Sequence, residues 1–378
     1  MENIDIQKIL RTSTGKHFGV FYSYMNRSKT AYISGGLSWL FLLFTSLALT
    51  DCKTSSTPPR EIERAIYFWK SDFRPSEYEK NNLARLNIKT IYVKFFDVGW
   101  DPQKNIAYPM AVLHVTDQNY FLSNGIIPVV FITNQCLQRI DSAQCPELAK
   151  KILKLVKGIG GSETGRKFGE IQIDCDWTAA TKDKYFSILR KLHDLEPGIL
   201  FSATIRLYQV KFAGKTGIPP VSRGMLMCYN MGNMRDPSAK NSILDINEFK
   251  KYISGLNRYP LPLDIALPIF EWAVLLRKGT YAGLLENLPA GKLNSSFFKK
   301  SENTYEVLKS NSVLGYDLIK GDKIRVEESK YADLKSAVNI LNSKITPGNL
   351  RVSLYHLDSL TLSKYSQHEL EILYDGMH

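Results

Sequence analysis

Short runs of β-branched and aromatic residues alternate along the chain with longer stretches whose apolar positions recur at helical spacing. Arg64-Ala-Ile-Tyr-Phe-Trp69, Thr90-Ile-Tyr-Val-Lys-Phe-Phe96 and Ile126-Ile-Pro-Val-Val-Phe-Ile132 read as strands, and Glu170-Ile-Gln-Ile-Asp-Cys-Asp-Trp177 as a fourth. Leu200 to Arg206, Gly224 to Tyr229, Leu263 to Phe270 and Leu350 to His356 complete a set of eight. Helical spacing falls at Pro75 to Leu86, Pro146 to Lys157, Thr181 to Glu196, Asn247 to Leu256, Tyr331 to Ser343 and Ser363 to Tyr374. This alternation predicts an α/β chain folded as a (β/α)8 TIM barrel over residues 63–378. A doubly wound open sheet is the rival, but no Gly-rich dinucleotide fingerprint follows the first strand. Residues 273–330 break the alternation. Thr304-Tyr-Glu-Val-Leu and Asp322-Lys-Ile-Arg-Val-Glu within them look like strands of a small α+β insertion after strand seven, set as a wall beside the barrel mouth.

The fourth strand ends in two carboxylates. Asp174 and Asp176 are two apart, so a strand points both to one face, at the end where parallel α/β folds bind ligands. An isolated Asp-x-Asp serves equally well to cap the next helix or to meet a cation.

The first fifty residues follow a different pattern. An apolar core from Leu37 to Leu49 follows Arg27 and Lys29 and precedes Asp51-Cys52; it is short for a bilayer span, which takes ~20 apolar residues, but suits a secretory signal. Residues 1–51 are therefore expected to be a targeting segment, with Met25 as an alternative start, and 52–62 a polar tether. Leu49-Thr-Asp-Cys52 resembles a bacterial lipoprotein signal, in which the cysteine is lipidated. Asp51 departs from the small residue usual before that cysteine, and an uncleaved anchor is the alternative. Either way the barrel is expected in the cell envelope, outside the cytoplasm, attached to a membrane and acting as a monomer. Of the formal charge of +12, about +10 lies beyond the targeting segment, which favours anionic surroundings without naming a partner. No zinc-finger, RNP or helix-turn-helix pattern is present, and no nucleic-acid partner is expected.

Several strand ends together resemble glycoside hydrolase family 18, the chitinase-like barrels, over most of Arg64 to Tyr374. That family's fourth strand runs Asp-x-x-Asp-x-Asp-x-Glu; Asp174 and Asp176 match its second and third acids, and Trp177 a tryptophan often found there. Met227-Cys-Tyr229-Asn230 is similar to the family's Met-x-Tyr-Asp. Tyr355-His-Leu-Asp358 resembles its Trp-x-x-Asp ending, with tyrosine where the sugar-stacking ring stands. The resemblance implies a carbohydrate ligand in the barrel mouth and an insertion after strand seven. Two departures bear on activity. Ile171 stands at the first aspartate, and Thr178 at the proton-donating glutamate, whose work a threonine hydroxyl cannot do.

Glycoside hydrolysis generally needs two carboxyl groups, ~5 to 5.5 Å apart for retention and ~6.5 to 9.5 Å for inversion. Glu271, at the end of strand seven, is the candidate partner for Asp176, provided that it faces inward; Pro268/Phe270 and Ile269/Glu271 face opposite sides. Arg206 closes strand five and could hold an anionic sugar or neutralise Asp174 or Asp176. Lys94, Asp97, Asn134 and His356 are lesser candidates. Tyr229, Tyr355, Trp69, Trp100, Trp177 and Trp272 fall near strand ends, where aromatic faces stack on sugars or pack as core. Tyr229, Asn230, Arg206, Trp177, Trp272, Tyr355 and Asp358 form the expected binding set, with Asp176, Glu271 and Asp174 as candidate catalytic acids. A disulfide between Cys136 and Cys145 is plausible outside the cytoplasm, whereas Cys175 and Cys228 should be buried thiols facing the helices. No Cys/His zinc spacing, Walker loop or EF-hand is present, so no essential cofactor is expected, although paired aspartates could hold calcium. Three readings remain: a membrane-tethered glycosidase acting on a poly- or oligosaccharide, a glycan-binding barrel without catalysis, and a structural envelope lipoprotein.

Overall fold

The computed structural model describes residues 60–161, 167–285, 288–293, 295–345 and 348–378. The targeting segment, Cys52 and most of the tether lie outside the described residues. Eight strands form the ring: β1 (Ile62–Phe68), β2 (Thr90–Asp101), β3 (Gly125–Ile132), β4 (Glu170–Asp174), β5 (Leu200–Arg206), β6 (Arg223–Met227), β7 (Leu263–Pro268) and β8 (Leu350–Tyr355). Each pairs in parallel with the next, and β1 pairs with both β2 and β8, which closes the sheet on itself. The closed barrel expected from the alternation is therefore present, and the open-sheet rival is excluded.

Helices cover the outside because each turns one apolar face to the sheet, and some are opened by a side chain that caps their exposed N–H groups. Ser76 opens Glu77–Arg85 with a capping box to Glu79, and Ser366 opens Gln367–Asp375 with one to Glu369. Cys145–Ile159 turns Leu148, Ala149, Ile152, Leu153 and Val156 to the sheet and leaves four lysines in water. Among the described residues no helix is long and apolar enough to cross a membrane.

The barrel interior is unusually polar, because every second residue of several strands carries a hydrogen-bonding group. At the floor, Glu170 of β4 meets Arg351 of β8 at 2.8 Å and accepts from Ser202 of β5 at 2.6 Å. One layer up, the Tyr67 hydroxyl donates to Gln172 at 2.6 Å, and its ring stacks on Tyr92 at 4.8 Å. Asp174 and Arg206 continue the same rows to the mouth.

Two departures from the sequence expectation concern elements beyond the ring. β2 runs past Phe96 to Asp101 and pairs antiparallel with Ile106–Met110, so a hairpin projects from the barrel. Its turn is held by Asp101, whose carboxylate accepts from the N–H groups of Gln103 and Lys104, and Asn105 takes the left-handed conformation. The insertion is a five-stranded antiparallel sheet, ordered Thr280–Leu285, Glu271–Arg277, Lys323–Glu328, Thr304–Val307 and Phe298–Ser301, with a small hairpin beside it. It has its own core of Ala273, Leu275, Tyr305 and Ile324. The expected α component is limited, among the described residues, to one 3-10 turn at Ala290–Leu293; the helix that follows, Tyr331–Asn342, belongs to the barrel. The expected Cys136–Cys145 disulfide is replaced by two free, buried thiols. They sit on separate helices, the Cys145 sulfur lies 3.7 Å from the Asp141 carbonyl, and burial pushes the Cys136 thiol up to about 11. Cys175 and Cys228 are buried free thiols, as their parity predicts.

Candidate functional site at the barrel mouth

At the C-terminal end of the ring, the inward rows of β4 and β5 bring Asp174, Asp176, Thr204 and Arg206 together. Asp174 is buried and accepts from the Thr204 hydroxyl at 2.5 Å. Burial raises its pKa to about 6, against the pull of Arg206 and with a push from the neighbouring Asp176. Asp176 lies just beyond the strand, with its side chain 48% exposed, and its carboxylate is bonded by Arg206 Nε. Burial acts against the Arg206 charge, but Asp176 and Asp174 outweigh it and raise its pKa. The guanidinium also lies 5.8 Å from the centre of the Tyr229 ring. Thr204, two residues before Arg206, is a contributor that sequence reasoning missed, although strand periodicity puts it in the same row.

A ring of aromatic side chains lines the wall opposite. Tyr355 lies at the centre, with ring centroids 5.5 Å from Trp69, 5.2 Å from Tyr229 and 5.6 Å from Phe270. Phe270 in turn contacts Trp272 at 5.3 Å. Trp69, Tyr355 and Trp272 remain partly open, whereas Tyr229 and Phe270 are buried. Lys94 lies over Trp69 at 5.7 Å and pairs with Asp97 at 3.2 Å. Asn230 is exposed at the end of β6 in a left-handed conformation. Phe270 was not among the sequence candidates.

Trp272 is fixed from behind by the insertion. Its Nε1 donates to Glu327 at 2.9 Å, and the buried Glu327 also accepts from the Ser242 backbone N–H at 2.7 Å. Arg325 pairs with the same carboxylate at 2.6 Å and donates to the carbonyls of Met234 and Asp236. These bonds tie the insertion to the loop after β6, a junction that the sequence did not reveal because its partners are far apart in the chain.

Four expected site residues have other places. Phe270 joins the aromatic ring, so Glu271, of opposite parity, does not; its carboxylate bonds Lys364 at 2.5 Å where it opens the insertion sheet. Trp177 is fully buried, stacked on Tyr185 at 5.0 Å with its Nε1 donating to the Thr216 carbonyl; it is core because the chain turns outward after Asp176. Asp358 caps the helix Ser359–Leu362 and pairs with Lys70 at 3.0 Å. Burial opposes its charge, yet Lys70 and the helix N–H groups hold its carboxyl below the usual range. Trp100 is buried on the projecting hairpin. His356, where a cis peptide follows Tyr355, has its pKa lowered by burial and is neutral at pH 7. Asn134 accepts from the Thr181 hydroxyl at 2.9 Å, and Thr181 in turn accepts from the Thr178 N–H.

No protein-family model matches the chain, and no curated protein sequence is similar enough to register as a relative. Solved structures do match. The Bacillus cereus spore cortex-lytic enzyme SleL aligns with a TM-score of 0.53 and 14% identity, covering 84% of this chain and 75% of that one. A Bacillus megaterium SleL aligns at 0.50 with 14% identity over 85% and 75% of the two chains, and a Chromobacterium violaceum chitinase at 0.50 with 10% identity over 82% and 99%. The barrel is similar in fold to these enzymes. At such identities the likeness is one of backbone, consistent with the family resemblance read from the strand ends. The chemistry must be argued from the mouth itself. There, one aspartate is buried, the other is paired with an arginine, and the Glu271 carboxylate is bonded to a lysine. The mouth offers flat apolar faces, a guanidinium and an exposed amide.

Proposed function

We propose that the chain is an exported carbohydrate-binding barrel of the bacterial cell envelope, held at a membrane by a lipid on Cys52 or by an uncleaved N-terminal helix. It holds a poly- or oligosaccharide at the mouth without cleaving it. The observation that carries this reading is the Arg206–Asp176 ion pair followed by Thr178, which leaves no free carboxyl pair among the described mouth residues to protonate a leaving oxygen and attack the sugar. Trp69, Tyr355 and Trp272 supply the stacking faces, and Asn230 and Arg206 the polar contacts that fix a sugar's hydroxyls. A hydrolase remains the second reading, favoured by the raised pKa of Asp174, a carboxyl that holds its proton to higher pH than an ordinary aspartate.

The experiment is a glycan panel assayed for binding and for released reducing ends, with the wild type, Tyr355→Ala, Asp176→Asn and Glu271→Gln. Binding without turnover, weakened roughly fivefold by Tyr355→Ala for the loss of about 1 kcal/mol of ring contact, is the expected result. Turnover abolished by Asp176→Asn would replace this reading with the hydrolase. No binding and no turnover across the panel would leave the envelope-structural role.

A further inference from the structure

Away from the mouth, the projecting hairpin and the helix Cys145–Ile159 enclose a groove of about 440 Å3. Its walls are apolar: Phe96 and Val98 from β2, Ala107 and Pro109 from the return strand, and Ile152 and Leu155 from the helix. The hairpin is also where exposed apolar side chains gather, with Ile106 43%, Tyr108 37% and Val112 42% exposed. An apolar trough open to water is a cost that the fold carries unless something covers it.

The lip of the groove identifies what that is. Lys151 and Lys154 line it and are exposed, one turn apart on the helix. Their neighbours on the same helix are engaged, Lys150 with Glu147 and Lys157 with Glu196. Lys151 and Lys154 have no carboxylate within ion-pair distance among the described residues, and no acidic side chain lines the groove. A slot that is apolar along its length and doubly cationic at one edge complements a ligand with the same division. The volume is about three times the ~150 Å3 cavity that takes a benzene ring, which suits a chain of methylenes better than a single ring. A sugar or a nucleotide would need polar partners along the walls, and an inorganic anion would make no use of them.

We propose that this groove binds a single-chain anionic amphiphile, an alkyl chain ending in a carboxylate, with the chain between hairpin and helix and the headgroup on Lys151 and Lys154. The site is separate from the mouth and does not depend on the carbohydrate reading. It gives the barrel a second ligand, of the kind that membranes release.

Titration of the full chain with decanoate below its micelle concentration, alongside decanol and propanoate, tests this. Saturable decanoate binding is expected, with propanoate at least a hundredfold weaker. Lys151→Gln with Lys154→Gln should weaken decanoate roughly tenfold, as the loss of two exposed charge contacts gives, and leave decanol unchanged. Ala107→Phe, which narrows the slot, should weaken both alkyl ligands, while Tyr355→Ala should change neither. The exposed lysine positions tolerate substitution, so that arm stands even if Ala107→Phe unfolds. Absence of saturable binding, or decanoate binding indifferent to the lysine changes, overturns the proposal. So does concentration-dependent self-association abolished by Ala107→Phe without alkyl binding, which would assign the groove to a second copy of the chain.

Discussion

Arg325→Met is the perturbation that best tests how the insertion is held to the barrel. Arg325 and Glu327 have side chains 3% and 0% exposed, so their ion pair is dry. The change removes the 2.6 Å bond to Glu327 and the bonds to the Met234 and Asp236 carbonyls at 3.0 and 2.9 Å. Breaking one side of a buried pair costs about 3–5 kcal/mol, because the remaining charge keeps its desolvation without its partner. Glu327 retains donors from Ser242 and Trp272, which softens that penalty and puts the expected loss at the lower end, about 3 kcal/mol. The double variant with Glu327→Gln should recover part of that loss, since the amide can still accept from Trp272 and carries no charge to desolvate. Urea unfolding followed by tryptophan fluorescence reads both values. A cost under about 1 kcal/mol for the single variant, or strictly additive costs in the double, would refute the claim that this buried pair fastens the wall.

Three further outcomes follow from the geometry. Burial raises Asp174 and Asp264 to about 6, so the folded chain takes up these protons before the unfolded chain does at about 3.9, and their contribution to stability falls as pH rises from about 4 to about 6. The difference in melting temperature between Asp174→Asn and the wild type should therefore grow in the variant's favour across that window; a pH-independent difference would contradict the assignment. Trp177→Ala should cost about 3–5 kcal/mol in chemical denaturation, as a fully buried indole does, and leave ligand affinity unaltered where the variant stays folded. Lys364→Met should change stability by less than about 1 kcal/mol, because its bond to Glu271 is partly solvated, and should not create turnover on the glycan panel.

The eight strands were legible because each is a compact run of β-branched and aromatic residues between turn signals. The placement of Asp174 and Asp176 was equally legible, since their spacing fixes a shared face. Glu271 was not. From Ile265 to Phe270 every side chain is apolar and buried, so the mouth end of strand seven shows no polar face from which its parity could be read. Trp177 was misplaced for a related reason: strand period stops at Asp174, and beyond it a tryptophan near a mouth cannot be told from one in the core by spacing. The hairpin escaped notice because Asp97 and Gly99 interrupt the apolar run in β2, although the backbone continues as strand. The capping role of Asp358 and the Lys364–Glu271 bond depend on contacts between distant segments, which no local pattern records.

Only Ile269 and Phe270 separate the last residue of β7 from the first strand of the insertion. Both are packed tightly, and Phe270 sits in the aromatic lining. With so short a joint there is no slack to absorb movement, so tilting the wall must swing the Phe270 ring against Tyr229 and Tyr355. Whatever presses on the outer sheet is thereby felt by the aromatic lining of the mouth.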